Sequence, residues 1–223
     1  MYVISNKGEK AMKGKRFISR RKKLPVILEP NEVERLLRIP NKRYLSGIRN
    51  RAVLSLMLNL GLRVSEVSNL KPSDVNLTEN KLRIVSGKGD IDRDLMIPFH
   101  TSGLLKEWWN VKPKNTKYFF TTIKDVKRTG KAKCFNTKKG SQFKTRNISY
   151  MIKKYCKRAK IDKIISPHSL RHTFGTQFIR QNGNVMNLQL ILGHSDISST
   201  QVYITLALKD VEKAIAQFEE FKV

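Results

Sequence analysis

The stretch GIRNRAVLSLMLNLGLRVSE, residues 47–66, decides how the rest of the chain is read. Between Ala52 and Leu62 only Ser55, Asn59 and Gly61 break a run of large or small apolar side chains. Such residues fall on nearly every side of a 3.6-residue repeat, which predicts a helix from about Gly47 to Leu60 buried around much of its circumference. Gly61 then stands where a helix C-cap needs a residue without a Cβ. The apolar run is far short of the ~20 residues that cross a bilayer, so it belongs in the core of a globular domain.

The elements on either side fill in that domain. Pro30 and Asn31 open a helix with Val33, Leu36 and Leu37 on one side, and Pro40 closes it. Past Pro72 the pattern shortens to strands at 75–77, 81–85 and 93–97, the last two joined by a glycine-containing turn. Helices return at about 102–111 and 147–160. In the second, Ile148, Met151, Ile152, Tyr155, Cys156 and Ala159 form one face. Lys153, Lys154, Lys157 and Arg158 form the other, suited either to phosphates or to solvent. Another helix begins near Pro167, and no repeat of solenoid period is present. The expected fold is a mainly helical α+β domain over residues 25–223 with one small antiparallel sheet.

Charge narrows the partners. The 223 residues carry 45 Lys and Arg against 18 Asp and Glu, a net charge of +27. That excess points to a polyanion. A basic membrane-surface protein competes, but no strongly amphipathic Lys-rich helix with exposed large apolar residues stands out. Residues 1–24 hold nine Lys or Arg and one Glu, which reads either as an arm that orders on DNA or as a solvated tail. Residues 124–146 repeat that balance, with nine basic residues and one Asp, as a basic loop or hairpin. The first 24 residues lack the apolar block of a secretory signal. The two cysteines, Cys134 and Cys156, form neither a C-x-x-C pair nor a disulfide framework, which fits a reducing cytoplasm or nucleoid.

Several residues carry chemistry. His168 and Arg171 are three apart, so a helix starting at Pro167 places them on one face. Arg offers a rigid fork of donors for phosphate oxygens, and His relays a proton near neutral pH. Tyr203 is one of six tyrosines, and most tyrosines are packing residues, yet its hydroxyl is a candidate nucleophile. Arg63 follows a helix end, where a cation often only offsets the helix dipole, but Glu66 one turn on can anchor its guanidinium. Lys88, between Gly87 and Gly89, is a hairpin tip by default and has none of the P-loop spacing. His168 and His172 have the spacing of a zinc-binding helix. Ser169 stands where that motif has Glu, and Arg171 would set a positive charge beside the cation. His172 reads as a supporting residue, and His100 has no visible role.

Gly-Leu-Arg-Val-Ser-Glu at 61–66, His-Ser-Leu-Arg-His at 168–172 and the run from Leu192 through Gly193, His194 and Ser195 to Tyr203 occur in this order. Together they make residues 25–223 resemble the tyrosine recombinases, the phage-integrase family, and most closely its Xer-type members. The resemblance implies catalytic roles for Arg63, Lys88, His168, Arg171, His194 and Tyr203, and none of these six positions departs from the family pattern. It implies cleavage of double-stranded DNA through a 3′-phosphotyrosine, without metal, ATP or other cofactor. Lys88 would be general acid at the leaving oxygen, and a lysine with an ordinary pKa of ~10.4 carries that proton at pH 7. It further implies a tetramer on DNA, docked through the helix expected from about Leu208, whose Leu208, Val211, Ile215 and Phe218 repeat at helical spacing. Own-core packing explains that helix equally well. One departure is the short N-terminal extension: family members usually carry a helical domain there, and here a basic arm of about 24 residues precedes the catalytic part. A DNA-binding regulator that blocks recombination, and a type IB topoisomerase-like enzyme, are therefore the alternatives.

Overall fold

The computed structural model describes residues 24–85, 92–124, 138–193 and 200–208. Its elements are α1 (Pro30–Arg38), α2 (Leu45–Asn59), α3 (Val64–Asn69), β1 (Val75–Asn76), β2 (Lys81–Ile84), β3 (Arg93–Met96), α4 (Phe99–Val111), α5 (Thr145–Arg158), α6 (Pro167–Arg180) and α7 (Val185–Leu192). Residues 200–208 are also helical. The fold is the expected one, mainly helical with a small antiparallel sheet in the order β1-β2-β3.

α2 is the axis of the core. Ala52, Val53, Leu54, Leu56 and Met57 have no exposed surface, as its unbroken apolar composition requires. Two of its polar positions are satisfied internally: Ser55 Oγ lies 2.8 Å from Thr101 Oγ1 on α4, and Asn59 Nδ2 donates to both oxygens at 3.0 Å. Buried Arg49 donates from Nη1 to the Thr121 carbonyl at 2.9 Å and stacks 3.5 Å above the Phe143 ring. α2 ends as expected at Gly61, whose φ of +64° favours glycine. A Cβ there would sit 2.4 Å from Phe174 on α6 and 2.7 Å from Leu192 on α7, so three segments meet closely at this point.

In the sheet Leu82 pairs with Leu95 and Ile84 with Arg93. Side chains alternate between faces, so Leu82, Ile84 and Leu95 enter the core. One helix starts earlier than its pattern suggests, and another has no counterpart in the sequence pattern. α4 begins at Phe99, because the Pro98 carbonyl accepts from the Ser102 amide at 2.9 Å and fixes the first turn. α7 is not foreseen; its short polar-apolar mix is helical because Asn184 Oδ1 caps the Met186 amide at 2.7 Å.

The base of the expected basic hairpin is paired: Thr121 bridges Gln142, and the Thr122 amide donates to Ser141 O at 2.8 Å. The greater part of that hairpin, the Lys88 turn, residues 1–23 of the arm and the segment from 209 onward lie outside the described residues. Among the described residues no helix is long and apolar enough to cross a membrane. Beside the main core lies a small second cluster of Phe174, Leu188, Leu192 and Tyr203, and the candidate site is built around it.

Candidate active site

Arg63 is the N-cap of α3 rather than an extension of α2. Its amide donates to Glu66 Oε2 at 2.7 Å, and its Nη1 reaches Oε1 at 3.3 Å. The anchoring role expected of Glu66 is therefore present, but Glu66 holds a second guanidinium as well. Arg93 of β3 forks onto it, Nη1 to Oε1 at 3.0 Å and Nη2 to Oε2 at 3.1 Å. Both side chains are buried, at 7% and 6% exposure. Sequence reasoning passed over Arg93. The available signal was strand parity: Arg93 shares a face with Leu95 and Ile97, which are buried, and a buried guanidinium demands a counter-charge.

α6 opens as expected. The Ser166 side chain caps the Ser169 amide and Pro167 takes the first helical position. His168 is exposed, whereas Arg171 one turn on is 4% exposed, so the pair shares a side of the helix but not a depth. Arg171 donates Nη1 to the Gly61 carbonyl at 2.9 Å and Nη2 to the Leu192 carbonyl at 2.8 Å. Arg93 uses its Nε on the preceding carbonyl, Ile191, at 2.6 Å. The last carbonyls of a helix have no partner within it and sit at the negative end of its dipole, so two cations are well placed there. Arg93 and Arg171 thus tie the C-terminus of α7 to the Gly61–Glu66 junction from opposite sides. Gly193 closes α7 in the left-handed conformation, and His194 follows outside the described residues.

Tyr203 closes the site from the 200–208 helix. It is 1% exposed, with its ring against Gly175 of α6. Any Cβ at Gly175 would stand 2.6 Å from the ring, so only glycine leaves room for it. The hydroxyl lies in the field of Arg171 and Arg63; burial raises its pKa above the ordinary phenol value, while Arg171 and Arg63 pull it back down. Burial pushes Arg171 down to about 10, helped by Arg63, so it still carries its charge at neutral pH. His172 lies 5.5 Å from the Tyr203 ring, centroid to centroid. Burial first, then His168 and Arg171, lower its pKa, and its buried Nδ1 has no hydrogen-bond partner among the described residues.

Of the six candidates, Arg63, Arg171 and Tyr203 are brought within one electrostatic neighbourhood. His168 stands at its exposed edge, and Lys88 and His194 lie outside the described residues. Among the described residues no group of three His, Cys, Asp or Glu could hold a metal ion. Two guanidiniums beside a phenol suit an anionic phosphoryl group and a nucleophile that attacks it.

A family model for the phage integrase family matches residues 27–209. Tyrosine recombinase XerD of Ralstonia nicotianae is 34% identical over 195 residues, 87% of this chain and 60% of that protein. The crystal structure of XerA recombinase superposes with a TM-score of 0.70 at 30% identity, covering 88% of this chain and 67% of that one. A structure of XerH site-specific recombinase bound to its palindromic difH substrate, a post-cleavage complex, gives 0.70 at 25% identity, covering 89% and 54%. The chain spans about three-fifths of the curated relatives it matches.

Proposed function

Since the chain belongs to the phage integrase family, we propose that it is a site-specific DNA recombinase that breaks and rejoins duplex DNA through Tyr203. The observation that supports this is that Tyr203 shares one electrostatic neighbourhood with Arg171 and Arg63. A phenol with a raised pKa is a poor nucleophile by itself. It attacks only where its proton has an acceptor and the phosphate charge is neutralised. Arg63 and Arg171 supply the neutralisation.

In the proposed reaction the Tyr203 oxygen bonds to the scissile phosphorus while the bond from phosphorus to the 5′ oxygen breaks. His168 receives the phenol proton or positions the group, Lys88 protonates the leaving oxygen, and His194 hydrogen-bonds the phosphate. Attack by a 5′-hydroxyl on the phosphotyrosine reverses the step, so the covalent link conserves the bond energy and no ATP is needed. Buried as it is, Tyr203 cannot meet a phosphate without a shift of the 200–208 helix away from Gly175. Duplex DNA is the proposed partner, in keeping with the net charge and with the DNA-bound XerH relative. A tetramer on two sites, joined through residues beyond 208, is the proposed assembly, acting where chromosomal DNA lies.

A nicked suicide duplex from which the 5′-hydroxyl fragment diffuses away tests the reaction. The expected product is a protein–DNA adduct that survives denaturation with wild-type protein and is absent with Tyr203→Phe. An adduct formed equally by the Phe variant would overturn the assignment of Tyr203. Failure of the wild type on its own recombination site would favour a DNA-binding regulator.

A further inference from the structure

A basin of about 600 Å³ opens between the end of α1, the 41–44 loop, α2 and the end of α5. Arg38, Lys42, Arg43, Arg51 and Arg158 line it together with Asn41, and no acidic residue does. Several cations elsewhere in the fold do have a carboxylate. Arg63 and Arg93 share Glu66, Lys163 pairs with Glu32 and Arg180 with Glu29. A second basin, of about 280 Å³ and lined by Lys153, Lys157, Lys160 and Lys163, contains its own Asp162. In the larger basin only Arg38 has a carboxylate, the exposed Glu34 beside it. Among the described residues no ion pair involves Lys42, Arg43, Arg51 or Arg158.

Arg51 sharpens the contrast. Two residues away, Arg49 has its guanidinium bonded to Asn50 and Thr121 and stacked on Phe143. The Nη1 of Arg51 is equally shielded from water and has no acceptor among the described residues. The rest of the part-exposed Arg51 side chain lines the basin, where its basic neighbours add repulsion. An anion in the basin offsets that repulsion by placing a negative charge among the five cations.

We propose that this basin binds a phosphate group, supplied by the backbone of duplex DNA, at a point separate from the reaction centre. The assignment of DNA as the source rests on the recombinase function proposed above. Arg51 stands eight residues before the end of α2, about 12 Å along its axis at ~1.5 Å per residue. Successive phosphates of one strand advance ~3.4 Å along the duplex, so the phosphate held here is several nucleotides from the one attacked. Contacts to the backbone fix register without reading sequence.

The test uses the full chain, with Arg43→Gln/Arg158→Gln, both exposed positions, and the same pair combined with Arg51→Gln. Duplex binding is measured across salt concentrations, and inorganic phosphate binding is followed by NMR. Adduct formation on the suicide duplex is measured at saturating protein. Loss of one phosphate contact lowers the log–log salt slope by ~0.9. The triple variant is expected to lose at least that much slope, to bind phosphate more weakly, and to form adduct from bound complex at the wild-type rate. An unchanged slope overturns the proposal. Weakened phosphate binding with unchanged DNA binding also overturns it, by identifying a site for free phosphate. A wild type that binds DNA with the expected slope difference but never forms adduct supports the basin and refutes the recombinase instead.

Discussion

Replacing Arg93 by Gln tests whether the bracket around Glu66 holds the site together. The substitution removes the two-pronged contact at 3.0 and 3.1 Å and the 2.6 Å bond from Nε to the Ile191 carbonyl. Among the described residues Glu66, 6% exposed, then keeps only Arg63, whose Nη1 is 3.3 Å away, and the Arg63 amide. Breaking a buried pair from one side costs about 3–5 kcal/mol, because the remaining charge stays buried without its partner. For a domain of this size each kcal/mol moves Tm by about 2–4 °C, so a fall of roughly 6–20 °C is expected in thermal unfolding followed by circular dichroism. Pairing Arg93→Gln with Glu66→Gln removes the stranded charge, and the double variant should be less destabilised than the sum of the two single variants by at least ~1 kcal/mol. Arg93→Lys keeps the charge but not the fork, and belongs between wild type and Gln. In adduct assays Arg93→Gln should slow cleavage, since Arg63 and the turn before His194 both lose a support. A Tm within about 2 °C of wild type, or strict additivity in the double variant, would refute the bracket.

Three further outcomes are expected. Arg63→Ala and Arg171→Ala should each lower adduct formation by about 10²–10³-fold if each stabilises charge at the phosphate, and near-normal cleavage by either would remove that residue from the site. His172 has a folded-state pKa below its ordinary value, so the unfolded chain binds the extra proton first. Its stabilising contribution is complete above about pH 6.5 and declines as pH falls toward the folded value; chemical denaturation between pH 7 and 5 should therefore show a shallower pH slope in His172→Asn, and identical slopes would discount it. Adduct formation should persist in excess chelator, because side-chain cations neutralise the phosphate; loss with chelator and recovery with zinc or magnesium would return attention to His168 and His172.

The fold was legible where a pattern had a single physical solution. A helix apolar all round must be central, as α2 is, and Leu82, Ile84 and Leu95 alternate as a half-buried sheet demands. α7 was not legible, because its eight residues are too few for a clear period and its start depends on a local cap by Asn184. In the site, Arg63, Arg171 and Tyr203 were named from their motifs, and the structure brings them together. Arg93 escaped because its meaning comes from a partner 27 residues away, and a lone arginine in a strand has no motif.

The same long-range logic explains why Tyr203 looks unremarkable by itself and decisive in place. Its ring completes the small cluster with Phe174, Leu188 and Leu192, so in this conformation it acts as the core tyrosine its composition suggests. Its hydroxyl nevertheless lies in the field of Arg171, the residue that also holds the carbonyls of Gly61 and Leu192. Moving the phenol outward therefore frees a donor-rich guanidinium while leaving its two backbone anchors in place. A phosphate that entered the vacated position would find Arg171 already oriented. For the nucleophile proposed above, packing and chemistry are alternative uses of one side chain, and the energy of burying the ring against Gly175 sets how readily it is released.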